Sequence, residues 1–318
     1  MYTCRKIRQL GKLHNIGYNA LETILMRISR KILILSDKVD KTLSHNIQKY
    51  TDNAVYTSSY RWLVFRIQTG KVAIFDTRNN VDLDSYDLVY FKQYGLETRA
   101  CATYLQVKGI PFLNQDLGGN YIYNKLDQYI LLGYNNFLLP DSIYASHKNL
   151  IEIAKDSTYP FILKSITSSL GNDNYLIQNY EQLREVLCEN PKTPFVMQEY
   201  IPNDFDYRVL VLGHKVGTVL KRQRRDVSDH RNNAYLGAQE EEVIKPDKSI
   251  IEISVKTSRL LNKDIAGIDL IYDEKTKQYY IIELNSKPSF TYDTGISSEV
   301  PQFTNYIDRC LEKRYPTS

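Results

Sequence analysis

Cysteine is scarce in this chain of 318 residues, and the four present, Cys4, Cys101, Cys188 and Cys310, stand far apart. With no CxxC pair and no Cys/His spacing, neither a disulfide framework nor a zinc site is supported, and a reducing, cytoplasmic setting is expected. Long apolar runs are missing too. None approaches the roughly 18 residues that span a bilayer, and the start "MYTCRKIRQLGKLHNIGYNALETILMRISRK" lacks the continuous apolar core of a secretory signal. Ile24, Leu25 and Ile28 fall there at near-helical spacing, so residues 1–30 read as a basic, helical extension. Internal repeats, low-complexity tracts and any Ser-His-Asp or Cys-His arrangement are also absent. A strong excess of either charge is absent as well: 41 Lys and Arg against 37 Asp and Glu leave +4. That balance does not call for nucleic acid, and the run "KRQRR" lacks the aromatic interleaving of a nucleic-acid face. It suits a protein that handles anions such as phosphates or carboxylates.

What is present is an ordinary globular composition, 42% hydrophobic and 25% charged, long enough for two or three domains. "KILILSD" reads as a strand, "YRWLVFRIQTGKVAIFDT" as a hairpin about Thr69-Gly70, "DLVYFK" as a strand and "ETRACATYLQVKG" as a helix closing at Gly109. Residues 31–119 thus form a small α/β layer. A helix over "NKLDQYILLGYN", strands over "FLLPDSIYAS" and "YPFILKSI", a helix over "NYEQLREVLCEN" and a strand over "PFVMQEYI" follow. Two strands about Gly213, a helix over "SIIEISVKTSRLLN" and the strands "IAGIDLIYD" and "YYIIELN" complete the pattern.

The chemistry gathers at strand ends. In "IIELNSKPSF", Glu283 and Asn285 lie two apart and share a face. The turn "DEKTKQ" makes this strand the antiparallel neighbour of the one bearing Asp269. Two carboxylates and an amide oxygen are hard donors that suit Mg²⁺, or Mn²⁺ in its place, provided a nucleotide supplies phosphate oxygens. Lys164 ends a buried strand ahead of "SITSSLGND", a small-residue loop whose backbone N–H groups could approach phosphate. The strand into "QEYI" offers backbone groups to an adenine at Gln198 and Glu199, with Asp204 near for the ribose.

The order of these pieces, with Asp-x-Arg and "KRQR" between them, resembles the ATP-grasp superfamily, and specifically its RimK-like branch, over residues 120 to 295. The resemblance implies an α/β (α+β) chain with a small N-terminal α/β domain (31–119) and two α+β subdomains, 120–197 and 198–318, clasping ATP. It also implies site residues. Lys125 and Lys164 would meet the α- and β-phosphates, Ser169 and Gly171 the covering loop, and Gln198, Glu199 and Ile201 the adenine. Arg208, Arg222 and Asn233 would face the transferred phosphate or acyl substrate, and Asp269, Glu283 and Asn285 would hold the metal. Two places depart from the pattern. Ser168 and Asp173 stand where the phosphate loop has glycines, and Leu236, Gly237 and Ala238 where the substrate loop has an arginine and two glycines.

The implied activity is an ATP-dependent carboxylate–amine ligase: ATP phosphorylates a carboxylate and an amine displaces the phosphate. The substrates would be a small molecule or peptide carboxylate and an amine, with a homo-oligomer as the form common among relatives. The alternative from another class is a non-catalytic ATP-binding protein with a regulatory role, using the basic extension as its partner-binding element.

Overall fold

The structure, a computed structural model, describes residues 29–118, 124–168, 173–224 and 238–316. The first layer runs β1 (Lys31–Ser36), α1 (Lys41–Gln48), β2 (Ala54–Ser59), β3 (Leu63–Gln68), β4 (Lys71–Asp76), β5 (Val81–Asp82), β6 (Leu88–Phe91), α2 (Thr98–Lys108) and β7 (Phe112–Leu113). Strands β2-β1-β6-β7 make a parallel sheet, and β3-β4-β5 a separate antiparallel one. β1 and β6 are almost wholly apolar because helices or chain cover both sides of a parallel sheet. Helix α2 stops at Gly109, whose φ of 69° is the left-handed closing position that favours glycine.

The middle of the chain carries α3 (Lys125–Tyr134), β8 (Ser142–Tyr144), α4 (His147–Ala154), β9 (Phe161–Ser165), β10 (Asn174–Ile177), α5 (Tyr180–Glu189) and β11 (Phe195–Glu199). Its strands form an antiparallel sheet in the order β10-β9-β11-β8. Next come β12 (Phe205–Leu212), β13 (Lys215–Gln223), β14 (Gln239–Glu242), α6 (Lys248–Leu260), β15 (Ile265–Asp273), β16 (Gln278–Asn285) and α7 (Glu299–Arg314). These strands give an antiparallel sheet in the order β14-β13-β12-β15-β16.

Helix α7 ties the last sheet to the first. Its Val300, Phe303, Ile307 and Leu311 share one core with Ile32 and Ile34 of β1, Tyr90 of β6, and Leu210, Leu212 and Ile265 of the last sheet. Lys263, at the entry to β15, pairs with Asp116 after β7, and both side chains are wholly buried. Asn114 completes the seam by donating to Ile265 O (3.1 Å) and Ser286 O (2.9 Å). Among the described residues no helix is long and apolar enough to cross a membrane. The expected helical extension over residues 1–30 lies almost wholly outside the described residues.

Candidate active site

The last sheet sets charged side chains in rows. Arg222 on β13 is the register partner of Asp206 on β12 and of Glu240 on β14. Two residues along β12, and so on the same face, Arg208 pairs with Asp269 on β15, and Asp269 with Glu283 on β16. In one row Glu240, Arg222 and Asp206 alternate in sign; in the next Arg208 faces Asp269, and Asp269 faces a second acid, Glu283. The arginines are locked by this arrangement. Arg222 donates to both oxygens of Asp206 (2.7 and 2.8 Å) and sits 3.2 Å from Asp269. Arg208 grips Asp269 with two nitrogens, the Nη2 contact being 2.9 Å. Burial opposes ionisation of Asp269, but Arg208 and Arg222 outweigh it and hold its carboxyl below the usual range. Gly267 makes room, because a Cβ there would lie 3.2 Å from Arg208 Nη1 and 3.1 Å from Pro288 Cβ.

The pairing of β15 with β16 slips by one residue beside Asp269. Asp269 faces Glu283 while Leu270 faces Ile281, which leaves Ile282 as the extra residue of a β-bulge. The carbonyl of Ile282 accepts from Lys164 Nζ (3.3 Å) and from the Tyr129 hydroxyl (3.3 Å). Lys164 is 5% exposed and lies over the Tyr129 ring at 5.1 Å. Burial pulls its ammonium down to about 7, against the opposing attraction of Glu283. Lys125, the first residue of α3, stands 3.4 Å from Glu283 and donates to Ser168 O at 2.9 Å. A reciprocal cap between Asn124 and Asp127 fixes that end of the helix.

The structure thus brings Lys125, Lys164, Arg208, Arg222, Asp269 and Glu283 into one cluster, with Asn285 opposite Gly267 on the same face as Glu283. Gln198 is buried at the end of β11 and donates to Ser142 Oγ at 2.8 Å, Glu199 is exposed and Ile201 buried. Asp204 stands apart, 84% exposed and 3.1 Å from Arg224. Ser169, Gly171 and Asn233 lie outside the described residues. Ser168 and Asp173, the described residues on either side of 169–172, bind each other: Ser168 Oγ donates to Asp173 Oδ2 at 2.5 Å. Asp173 keeps the left-handed backbone of a glycine, with φ of 50°. Its carboxylate is held by the Ser168 hydroxyl.

Sequence reading did not join Asp206 to Arg222, although it begins the "DYR" that marked Arg208. It also missed the pinning of residues 286–298. There Lys92 donates to Pro288 O (2.7 Å), Thr291 Oγ1 to Glu240 (2.7 Å), and the Thr291 N–H to the buried Glu299 (2.7 Å). Among the described residues no group of three His, Cys, Asp or Glu is set to hold a metal. The ligands expected from the sequence are instead two carboxylates, which the structure sets on paired positions, and a carboxamide. Hard oxygens of this kind fit Mg²⁺ that keeps its other positions for phosphate and water.

Comparisons with known proteins agree on the kind of domain. The family model described as the RimK-like ATP-grasp domain matches residues 126–300, more than half of the chain. The coenzyme gamma-F420-2:alpha-L-glutamate ligase of Methanocaldococcus jannaschii is 26% identical over 220 residues, which is 66% of this chain and 74% of that protein. The alpha-aminoadipate–LysW ligase LysX of Sulfurisphaera tokodaii is 24% identical over 198 residues, 60% and 67% of the two chains. Among solved structures, the ATP-grasp ligase PsnB complexed with minimal precursor, Mg and ADP superposes with a TM-score of 0.66 at 13% identity, covering 88% of this chain and 98% of that one. A Chryseobacterium gregarium RiPP-associated ATP-grasp ligase in complex with ADP and a leader and core peptide also gives 0.66, at 14% identity and 90% and 98% coverage. At that identity the two structures speak to the fold alone.

Proposed function

Since this chain belongs to the RimK-like ATP-grasp family, and is an ATP-dependent carboxylate–amine ligase, we propose that the charged rows of its last sheet are the catalytic floor. Lys125 and Lys164 receive the α- and β-phosphates, with Ser169 and Gly171 covering them. Gln198, Glu199 and Ile201 line the adenine, and Asp204 is left for the ribose. The substrate carboxylate oxygen attacks the γ-phosphorus, the bond to the bridging oxygen breaks and ADP leaves. The amine nitrogen then attacks the acyl carbon, the C–O bond to phosphate breaks and an amide forms, with the amine proton passing to solvent. Arg222 and Arg208, held by Asp206 and Asp269, offset charge that builds on the moving phosphoryl group, and Asn233 helps to place the acyl substrate. Asp269, Glu283 and Asn285 would hold Mg²⁺, which when bound screens the charge of the phosphate oxygens.

We assign residues 31–119 to the small N-terminal domain and 120–197 and 198–318 to the halves that clasp the nucleotide. The substrate is taken to be an amino acid or peptide carboxylate, as relatives named for glutamate, aminoadipate and precursor peptides suggest. The observation that carries the reading is the convergence of two lysines and two acid-locked arginines on the Asp269–Glu283 pair.

Phosphate release from Mg-ATP, measured with pools of amino acids and short acidic peptides beside Glu283→Ala, tests it. Release that depends on one pool and disappears in the variant is expected. Nucleotide binding without release from any pool would instead favour a non-catalytic ATP-binding role.

A further inference from the structure

Among the described residues β16 is the last strand of its sheet, and no described strand pairs with its outer edge. Buried backbone groups left without partners are costly, and here the Leu138 carbonyl, which accepts from the Ile281 N–H at 2.9 Å, and side chains of α3 and β9 take the place of a strand. Ile282 O is taken by Tyr129 and Lys164, as described. Leu284 is served at both ends by one residue: Gln128 Nε2 donates to Leu284 O (3.1 Å), and the Leu284 N–H donates to Gln128 Oε1 (3.3 Å). A carboxamide has the donor and acceptor of a peptide unit, so Gln128 completes the ladder as one residue of a neighbouring strand would. It is 6% exposed, and Leu284 is 2% exposed.

Two consequences follow from position. Glu283 lies between Ile282 and Leu284, so side chains of α3 hold the backbone on both sides of it. Lys125 lies three residues before Gln128, on the same helix face, and reaches Glu283 at 3.4 Å. We infer that Gln128 is a positioning residue for nucleotide binding, fixing helix α3 against the edge of β16 so that Lys125 and Glu283 meet at a set separation. The inference rests on the proposed site, in which those two residues face the phosphates and the metal.

The test is a double-mutant cycle read by calorimetric titration with Mg-ADP, each protein studied well below its own melting transition. Gln128→Met keeps the volume but removes both hydrogen bonds, and it should weaken binding about tenfold. Gln128→Asn keeps the carboxamide but is one methylene too short, and it should behave in the same way. Lys125→Met should also weaken binding, and adding Gln128→Met to it should change affinity by less than about twofold, because residues that act through one another are not additive. A residue of merely structural role would lower the melting temperature yet multiply its effect with that of Lys125. Additive losses, or a Gln128→Met protein that binds as the wild type does, would overturn the inference. A Lys125→Met protein with unchanged binding would overturn the proposed nucleotide site itself, and this inference with it.

Discussion

Nucleotide binding should take up a proton, and Lys164 is the reason. Its side chain is buried near the end of β9, donating to Ile282 O beside the Tyr129 ring, and burial, opposed by the attraction of Glu283, brings its pKa down to about 7. At pH 8 a group with that pKa is only about one-tenth charged. A phosphate placed against it favours the charged form, so close to one proton, ~0.9, should be bound with each nucleotide at that pH. Affinity should then fall about tenfold per pH unit above 7, until the pKa of the occupied site is reached. The stability of the empty protein should move the other way. In the unfolded chain the lysine titrates at about 10.4, so between about 7 and 10.4 the unfolded state holds the extra proton and stability rises with pH.

The assay is calorimetric titration of Mg-ADP at pH 8 in two buffers of different ionisation enthalpy, for the wild type and for Lys164→Arg. Arginine stays charged throughout, so its variant should bind with no proton uptake. Uptake below about 0.2 proton in the wild type would refute the account of Lys164. Undiminished uptake in the Arg variant would place the proton on another group.

Two further outcomes follow from the same cleft and its supports. Arg222→Lys loses the two-point hold on Asp206, and a lysine cannot keep a planar fork on both oxygens; turnover should drop by roughly 10² or more with Mg-ADP affinity held within about twofold, and steady-state kinetics beside a binding titration would show it. A large loss of ADP affinity would instead make Arg222 a nucleotide ligand. Lys263→Met strands the wholly buried Asp116 carboxylate and should cost ~3–5 kcal/mol of stability, whereas Lys263→Met with Asp116→Leu should return to within ~1 kcal/mol of wild type. Equal losses in thermal melts of both proteins would show that the pair is itself stabilising.

How far the sequence speaks for this site depends on distance along the chain. The strands bearing Asp269 and Glu283 are legible because "DEKTKQ" joins them closely and apolar residues fill both. The bulge at Ile282 is not legible, since a slip of one residue leaves no mark in composition. Yet that slip frees the carbonyl on which Lys164 rests. The partner of Arg222 was hidden for a similar reason. Asp206 lies 16 residues away, and only the register of β12 with β13, itself irregular between Leu210 and Val211, decides that the two meet. Helix α7 did leave a signal, apolar residues at 300, 303, 307 and 311, but its other positions are polar enough to mask it.

Gln128 marks the limit most sharply. Within "NKLDQYILLGYN" it reads as one more polar position on a helix, and nothing local separates it from Asp127 or Asn135. Its meaning comes from a sheet edge some 150 residues later, at Leu284, where a carboxamide takes the place of a neighbour because no described strand lies beyond β16. Residues that touch phosphate or metal are constrained by charge and chemistry, and so they can be guessed from their type. Residues that place them are constrained by geometry across the fold, and many side chains of the same type elsewhere do nothing of the kind. The separation predicts where reading from sequence falls short in this chain: at Asp206, Glu240 and Gln128, which reach the cluster through other residues.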